Sequence, residues 1–195
     1  MLDLVNTISW RGEPARSQDH LHDAADCLTW ANRAGVLDRG EAEDLARRME
    51  GRPAAAAALT AGLRTLRSMV SETVLPVADH PERAEQLIQE AVAHSHLAAD
   101  TPAGSPNASY HWTVTEFDEH TARRRLTLDL LELLTTPQRR IGVCADPQCQ
   151  WVFLDTSHAQ NRQWCSSQDC GNRHRVRRHQ QRQDAAHQTA GQTSP

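Results

Sequence analysis

The chain, 195 residues long, predicts a mainly α, α+β protein. A helical N-terminal domain with a small antiparallel sheet comes first, then a small four-cysteine module ending in a basic helix. Three observations carry this. Through most of residues 1–138, apolar residues recur at steps of three and four. One stretch, Ser109–Thr115, alternates instead, with Tyr110, Trp112 and Val114 on one face. Finally, Cys144, Cys149, Cys165 and Cys170 form two equally spaced pairs that run into an arginine-rich segment. The expected boundaries are 1–138, 139–184 and a disordered tail over 185–195, whose Ala, Gln, Thr, Gly, Ser and Pro cannot build a core.

Each element has its own signal. Leu2, Leu4 and Val5 open a short apolar segment, strand or helix, and Trp10–Pro14 reads as a loop. Asp19 is the expected N-cap of a helix carrying Leu21, Ala24, Ala25, Leu28 and Ala31, which stops at Gly35. Asp38 caps a second helix with Ala42, Leu45 and Met49, ending at Gly51. From Pro53 the spacing of Leu59, Leu63, Leu66, Val70 and Val74 predicts the strongest amphipathic helix, running to near Pro76. Pro81 sits in the first turn of the next, with Leu87, Ile88, Ala91 and Val92 apolar. Asp100–Asn107 is a loop, and the partner strand for Ser109–Thr115 is expected near Leu97–Ala99. Asp118 or Glu119 opens a helix with a Leu126, Leu130, Leu133, Leu134 stripe, ended by Pro137. Arg123–Arg125 would be a solvated face opposite that stripe, able to extend a basic surface.

Composition narrows the function classes. No apolar run approaches the roughly 20 residues needed to span a membrane, and the N-terminus shows no secretory pattern. A bacterial-type cytoplasmic location follows by default. All 21 basic residues are arginine. Residues 1–138 hold 13 Arg against 21 Asp and Glu, a balance of −8; residues 139–195 hold 8 Arg against 4 Asp, a balance of +4. An acidic body with a basic end points to a separate partner for that end. No Ser-His-Asp arrangement, P-loop or dinucleotide glycine pattern is present, which argues against a familiar enzyme.

The cysteines carry the most specific chemistry. Two pairs, each with four intervening residues and fifteen residues between the pairs, match what tetrahedral Zn²⁺ requires. Four protein thiolates leave no open position for water, so the zinc is expected to be structural and the catalytic set empty. A segment this small has no adequate core, and the metal replaces it. Trp151–Leu154 would supply one strand, Asp155–His158 a turn, and Trp151, Phe153 and Trp164 packing around the metal. Cys27, alone in a helical pattern, is expected to be a small buried apolar residue.

Residues 144–178, which include Cys170-Gly171-Asn172-Arg173, the stretch that gives the family its name, resemble the CGNR zinc finger. Leu2-Asp3-Leu4-Val5-Asn6-Thr7, Trp10-Arg11-Gly12 and Trp30–Leu37 resemble the ABATE domain that accompanies it. The resemblance implies a mainly helical N-terminal domain and a bacterial, stress-induced transcription regulator. Family members commonly carry a few residues before the Leu2–Thr7 stretch, including part of an opening strand. The expectation is therefore a start upstream of Met1 or a trimmed sheet.

Physically, Gly171 would let the backbone turn beside the metal and Asn172 would cap the following helix. Arg175, Arg178 and Arg182 share one helical stripe, and Arg173 and Arg177 a neighbouring one. From Gly171 to Gln183 there are five arginines and no acid. Asn172, Arg173, Arg175, Arg177, Arg178 and Arg182 are therefore the candidate nucleic-acid contacts, with Arg173 alternatively bonding back onto the zinc loop. The leading expectation is a DNA-binding transcription regulator whose N-terminal domain senses a small-molecule effector or mediates assembly, for instance as a homodimer. The alternative is an N-terminal small-molecule-binding or catalytic module, lined by Trp10, Arg11, His22 or Trp30, with a purely structural or protein-contacting zinc finger. RNA binding is a third, weaker option. His22 and Asp26, four apart, are expected to be solvated rather than metal ligands.

Overall fold

The computed structural model describes residues 1–74, 81–100, 109–135 and 140–191, with backbone alone for residues 73, 74, 81 and 185–191. Two compact units result: Met1–Thr7 with Asp19–Gln138, hereafter the body, and Ile8–Gln18 with Arg139–Pro195, hereafter the cysteine module. No helix among the described residues is long and apolar enough to cross a membrane.

In the body the elements are α1 (Leu2–Val5), α2 (Ala24–Arg33), α3 (Arg39–Met49), α4 (Pro53–Val74), α5 (Pro81–Ala93), β1 (Ser95–Ala99), β2 (Tyr110–Val114) and α6 (Thr121–Thr135). The opening apolar segment is a helix rather than a strand. Helix α4 is the hub, touching α1, α2, α3, α5 and α6. Its spacing explains this: Leu59, Leu63, Leu66 and Val70 are all at most 2 % exposed. Each such side chain contributes about 1.5–3 kcal/mol. Leu4, Leu21, Leu37, Leu45, Leu126 and Leu130 complete the core, and Cys27 lies buried within it, as expected of a small apolar residue.

The capping residues follow local chemistry. Asp38 and Glu41 form a reciprocal capping box at the start of α3, with bonds of 2.8 and 2.9 Å. The expected Asp19 cap is wrong: Asp23 caps α2 by accepting from the Asp26 amide. Asp19 has another role, because Arg67 reaches it. This guanidinium, 6 % exposed, donates to both Asp19 carboxylate oxygens at 2.6 Å and to Thr7 Oγ1 at 2.9 Å. Arg67, with help from the Leu21 amide, outweighs burial and holds the Asp19 carboxyl below its ordinary value.

The predicted hairpin is present. β1 and β2 pair antiparallel in the register Ser95↔Val114, Leu97↔Trp112 and Ala99↔Tyr110. Residues 101–108, most of the expected Asp100–Asn107 loop, lie outside the described residues, as do Pro76 and Pro137.

Arg123–Arg125 are not a solvated face. Arg123 and Arg124 both bind Glu90 of α5, Arg124 also binds Asp118, and Arg125 binds Glu41 and the Val36 carbonyl. Arg124 is only 4 % exposed. Burial alone would raise the Glu90 carboxyl, but the two guanidiniums hold it below its usual range. Helical spacing placed three arginines opposite the apolar stripe, and only the acids that face them, Glu90, Asp118 and Glu41, decide that they are clamps. On the same helix Leu133 is half-buried and Leu134 is exposed, so the apolar stripe fades toward its end.

The segment that opens the cysteine module carries β3 (Ile8–Ser9), which forms a short two-stranded sheet with β4 (Gln18–Asp19), the strand in which the chain passes back to the body. β5 (Ile141–Val143) pairs antiparallel with β6 (Val152–Leu154), and α7 spans Cys170–Gly191. The backbone of residues 185–191, expected to be tail, continues α7; residues 192–195 are outside the described residues.

Candidate metal centre and arginine helix

The four cysteines come from two tight turns. In the first, the Cys144 amide donates to the Trp151 carbonyl at 2.8 Å and the Cys149 amide to the Asp146 carbonyl at 3.0 Å. In the second, the Asp169 amide donates to Ser166 Oγ and the Gly171 amide to the Ser166 carbonyl. Asp155, 1 % exposed, ties the connecting turn by accepting from the Ser157 amide and hydroxyl and the Arg162 amide. Arg162 then donates to the Trp164 and Cys165 carbonyls and stacks over Phe153.

The donor set fits zinc. All four Sγ atoms lie within 4.8 Å of one another; Cys149–Cys165 is 3.8 Å and Cys165–Cys170 3.5 Å. Sulfurs about 2.3 Å from a tetrahedral Zn²⁺ stand about 3.8 Å apart. Electrostatics agree. Burial, reinforced by neighbouring Cys149 and Cys144, pushes the Cys165 thiol up to about 12, and burial raises Cys170 as well. Cys144 is lowered because the Cys165 and Asp146 amides outweigh its burial. Cys165 and Cys170 thus resist ionisation until a dication compensates them. Phe153, Cys144 and Cys170 form the buried core, with Trp164 packed on it. Trp151, expected there, is 37 % exposed.

Helix α7 starts earlier than the spacing suggested. Cys170 is its first residue, so Gly171 and Asn172 lie inside the helix, and Asn172 is exposed rather than a cap. Gly171 serves close packing: a Cβ there would come within 3.3 Å of Trp164 Cδ1. Trp164 in turn meets the His174 ring at 4.7 Å.

The two arginine stripes have different surroundings. Arg173 donates to Asp146 Oδ2 at 3.0 Å and to Cys170 Sγ at 2.7 Å. Arg177 donates to Asp146 Oδ1 at 3.2 Å and to Gln148 Oε1 at 2.6 Å. Asp146 is 1 % exposed; burial opposes its charge, but Arg173, the Gln148 amide and Arg177 hold its carboxyl low. Asp146 is not among the site residues that the sequence singles out. The signal available was its place as the one acid between the first cysteine pair. Arg175, Arg178 and Arg182 are exposed. Arg175 makes one exposed bond, to the Ser167 carbonyl at 3.3 Å, and Arg178 and Arg182 make no hydrogen bond or ion pair among the described residues.

Residues 8–18 join this module. The Gly12 amide donates to the Gln148 carbonyl at 3.2 Å. Trp10 adopts φ 54°, a conformation costing a bulky residue about 1–3 kcal/mol. Its ring meets the guanidiniums of Arg16 at 3.6 Å and Arg173 at 5.0 Å. The candidate ligand residues therefore have separate settings. Trp10 and Arg11 belong to the cysteine module. His22 is exposed and bonded to Asp26 at 2.8 Å at the start of α2. Trp30 lines a cavity of about 870 Å³ in the body, with Tyr110, Trp112, Leu128, Asp129 and Glu132.

The family described as "Putative stress-induced transcription regulator", ABATE, matches residues 1–137. The family described as "CGNR zinc finger" matches residues 140–183. No curated protein matches the chain.

Proposed function

Because the chain belongs to the ABATE family and carries a CGNR zinc finger, we propose that it is a DNA-binding transcription regulator in which α7 contacts the phosphate backbone. The observation that supports this most is the division of its arginines. Arg173 and Arg177 are spent on Asp146, which fixes the helix to the first cysteine turn. Arg175, Arg178 and Arg182 stay exposed at steps of three and four, a preorganised row of positive charge. Cys144, Cys149, Cys165 and Cys170 hold a zinc ion as scaffold; when bound, it supplies the cross-link that a segment this small lacks. Phosphate contact of this kind gives affinity with little base information.

The body would bind an effector in the cavity flanked by Trp30, Tyr110 and Trp112. Its volume falls in the range of small-molecule sites, about 300–1,000 Å³.

Mobility-shift titration of the zinc-loaded chain on duplex DNA tests the proposal. Arg175→Ala, Arg178→Ala and Arg182→Ala together are expected to weaken retardation strongly at a given salt and to flatten the salt slope by about 2.7, or roughly 0.9 per lost contact. No binding by the unmodified protein at low salt, or undiminished binding by the triple variant, refutes it. Preference for RNA over duplex in competition would redirect it to the RNA reading.

A further inference from the structure

Residues 8–18 are separated by over a hundred residues from Cys144, the first of the four clustered cysteines, yet they pack in the cysteine module. The contact is tight. A Cβ on Gly12 would fall 1.6 Å from the Pro147 carbonyl oxygen and 2.7 Å from its carbon. Glycine is therefore required for the backbone to approach the turn between Cys144 and Cys149, where the Gly12 amide donates to Gln148. That seat sets Trp10, two residues earlier, against Arg173.

Arg173 is the residue through which this loop meets the metal ligands. Its guanidinium lies 5.0 Å from the Trp10 ring, 3.0 Å from Asp146 Oδ2 and 2.7 Å from Cys170 Sγ. Four thiolates around a dication carry excess negative charge. A guanidinium donating to one sulfur offsets part of it. Arginine is long and has many rotamers, so its station depends on what packs against it. Asp146 holds one side of the fork, and the indole face supplies a cation–π contact. Nothing in the cysteine spacing contains this wall; it comes from the far end of the chain.

We propose that Trp10 and Gly12 are positioning residues of the metal centre: the N-terminal loop holds Arg173 on the Cys170 sulfur, so that metal retention by the CGNR finger depends on residues outside it. The zinc finger is then completed by a segment that falls within the ABATE match.

The test uses the full chain loaded with zinc, and with Co²⁺ as a spectroscopic probe. In competition with a chromophoric chelator, Gly12→Ala and Trp10→Ala are expected to lose metal about 10–100-fold more readily than the unmodified protein, the range for loss of a group supporting a metal ligand. Trp10→Phe, which keeps a flat ring for Arg173, should retain most of the affinity. The thiolate-to-cobalt charge-transfer band should shift in Trp10→Ala and in Arg173→Gln in the same direction, which a loop that only connects would not cause. Gly12→Ala and Trp10→Ala chains with native far-UV ellipticity, zinc affinity within twofold of the unmodified protein and an unmoved band would overturn the proposal. Should Gly12→Ala fail to fold, the Trp10 pair decides: equal affinity for Ala and Phe overturns it, and a gap between them supports it. No DNA enters the measurement, so this outcome is independent of the regulator proposal.

Discussion

Asp19→Asn is expected to destabilise the body by about 2–3 kcal/mol at pH 7. Arg67, 6 % exposed, takes both bonds of its main ion pair from Asp19. Removing one partner of a fully buried pair costs about 3–5 kcal/mol, because the other charge is stranded. Asp19 itself is 32 % exposed and Arg67 keeps its bond to Thr7 Oγ1, so the cost is discounted to about 2–3 kcal/mol. Asparagine keeps an oxygen for the Leu21 amide, which Asp19 Oδ1 accepts at 3.0 Å. The substitution thus removes charge and leaves the turn. Thermal unfolding followed by far-UV ellipticity should show the body melting roughly 5–10 °C lower. The pH dependence has a definite sign. The folded Asp19 carboxyl lies below its ordinary 3.8. Its stabilisation is therefore complete above that value and is lost as pH falls through the lower, folded one. The gap between the two proteins should close in that window. Arg67→Met combined with Asp19→Asn should cost clearly less than the sum of the two single changes. A variant within about 0.5 kcal/mol of the unmodified chain at pH 7, or a gap that persists unchanged below both carboxyl values, would refute the reasoning.

Stripping the metal with a chelator should collapse the amide resonances of residues 140–184 into the unfolded envelope while those of α2–α6 keep their positions, since binding energy is folding energy for a segment whose buried cluster is largely its own ligands; an unchanged spectrum from verified metal-free protein would contradict this. Arg124→Met should cost about 1–3 kcal/mol by removing the buried guanidinium that bridges Glu90 and Asp118, less than a fully stranded charge because Glu90 keeps Arg123 and both carboxylates are partly exposed, measured by urea unfolding; a loss below about 0.5 kcal/mol would place the anchor of α5 elsewhere.

Most helices, the β1–β2 hairpin and the thiol set were legible because each rests on near neighbours in sequence. The Leu59–Val70 spacing gives α4, the Asp38–Glu41 box starts α3, and two equal cysteine spacings make two ligand-bearing turns. What misled were polar residues whose partners are distant. Asp19 looked like a cap and is the counterion of Arg67, 48 positions away. Arg123–Arg125 looked solvated and bind Glu90 and Glu41, 33 and 84 positions away.

The helical class, the metal chemistry and an arginine-bearing helix after the last cysteine can be read from the chain, because periodicity, donor type and charge are local properties. Which arginines remain available depends on packing between distant segments. Asp146 sits 27 and 31 positions from Arg173 and Arg177, and Trp10 lies on the far side of the whole body in sequence. A guanidinium is long and points wherever its counterion is buried, so its role is set by packing that no spacing encodes.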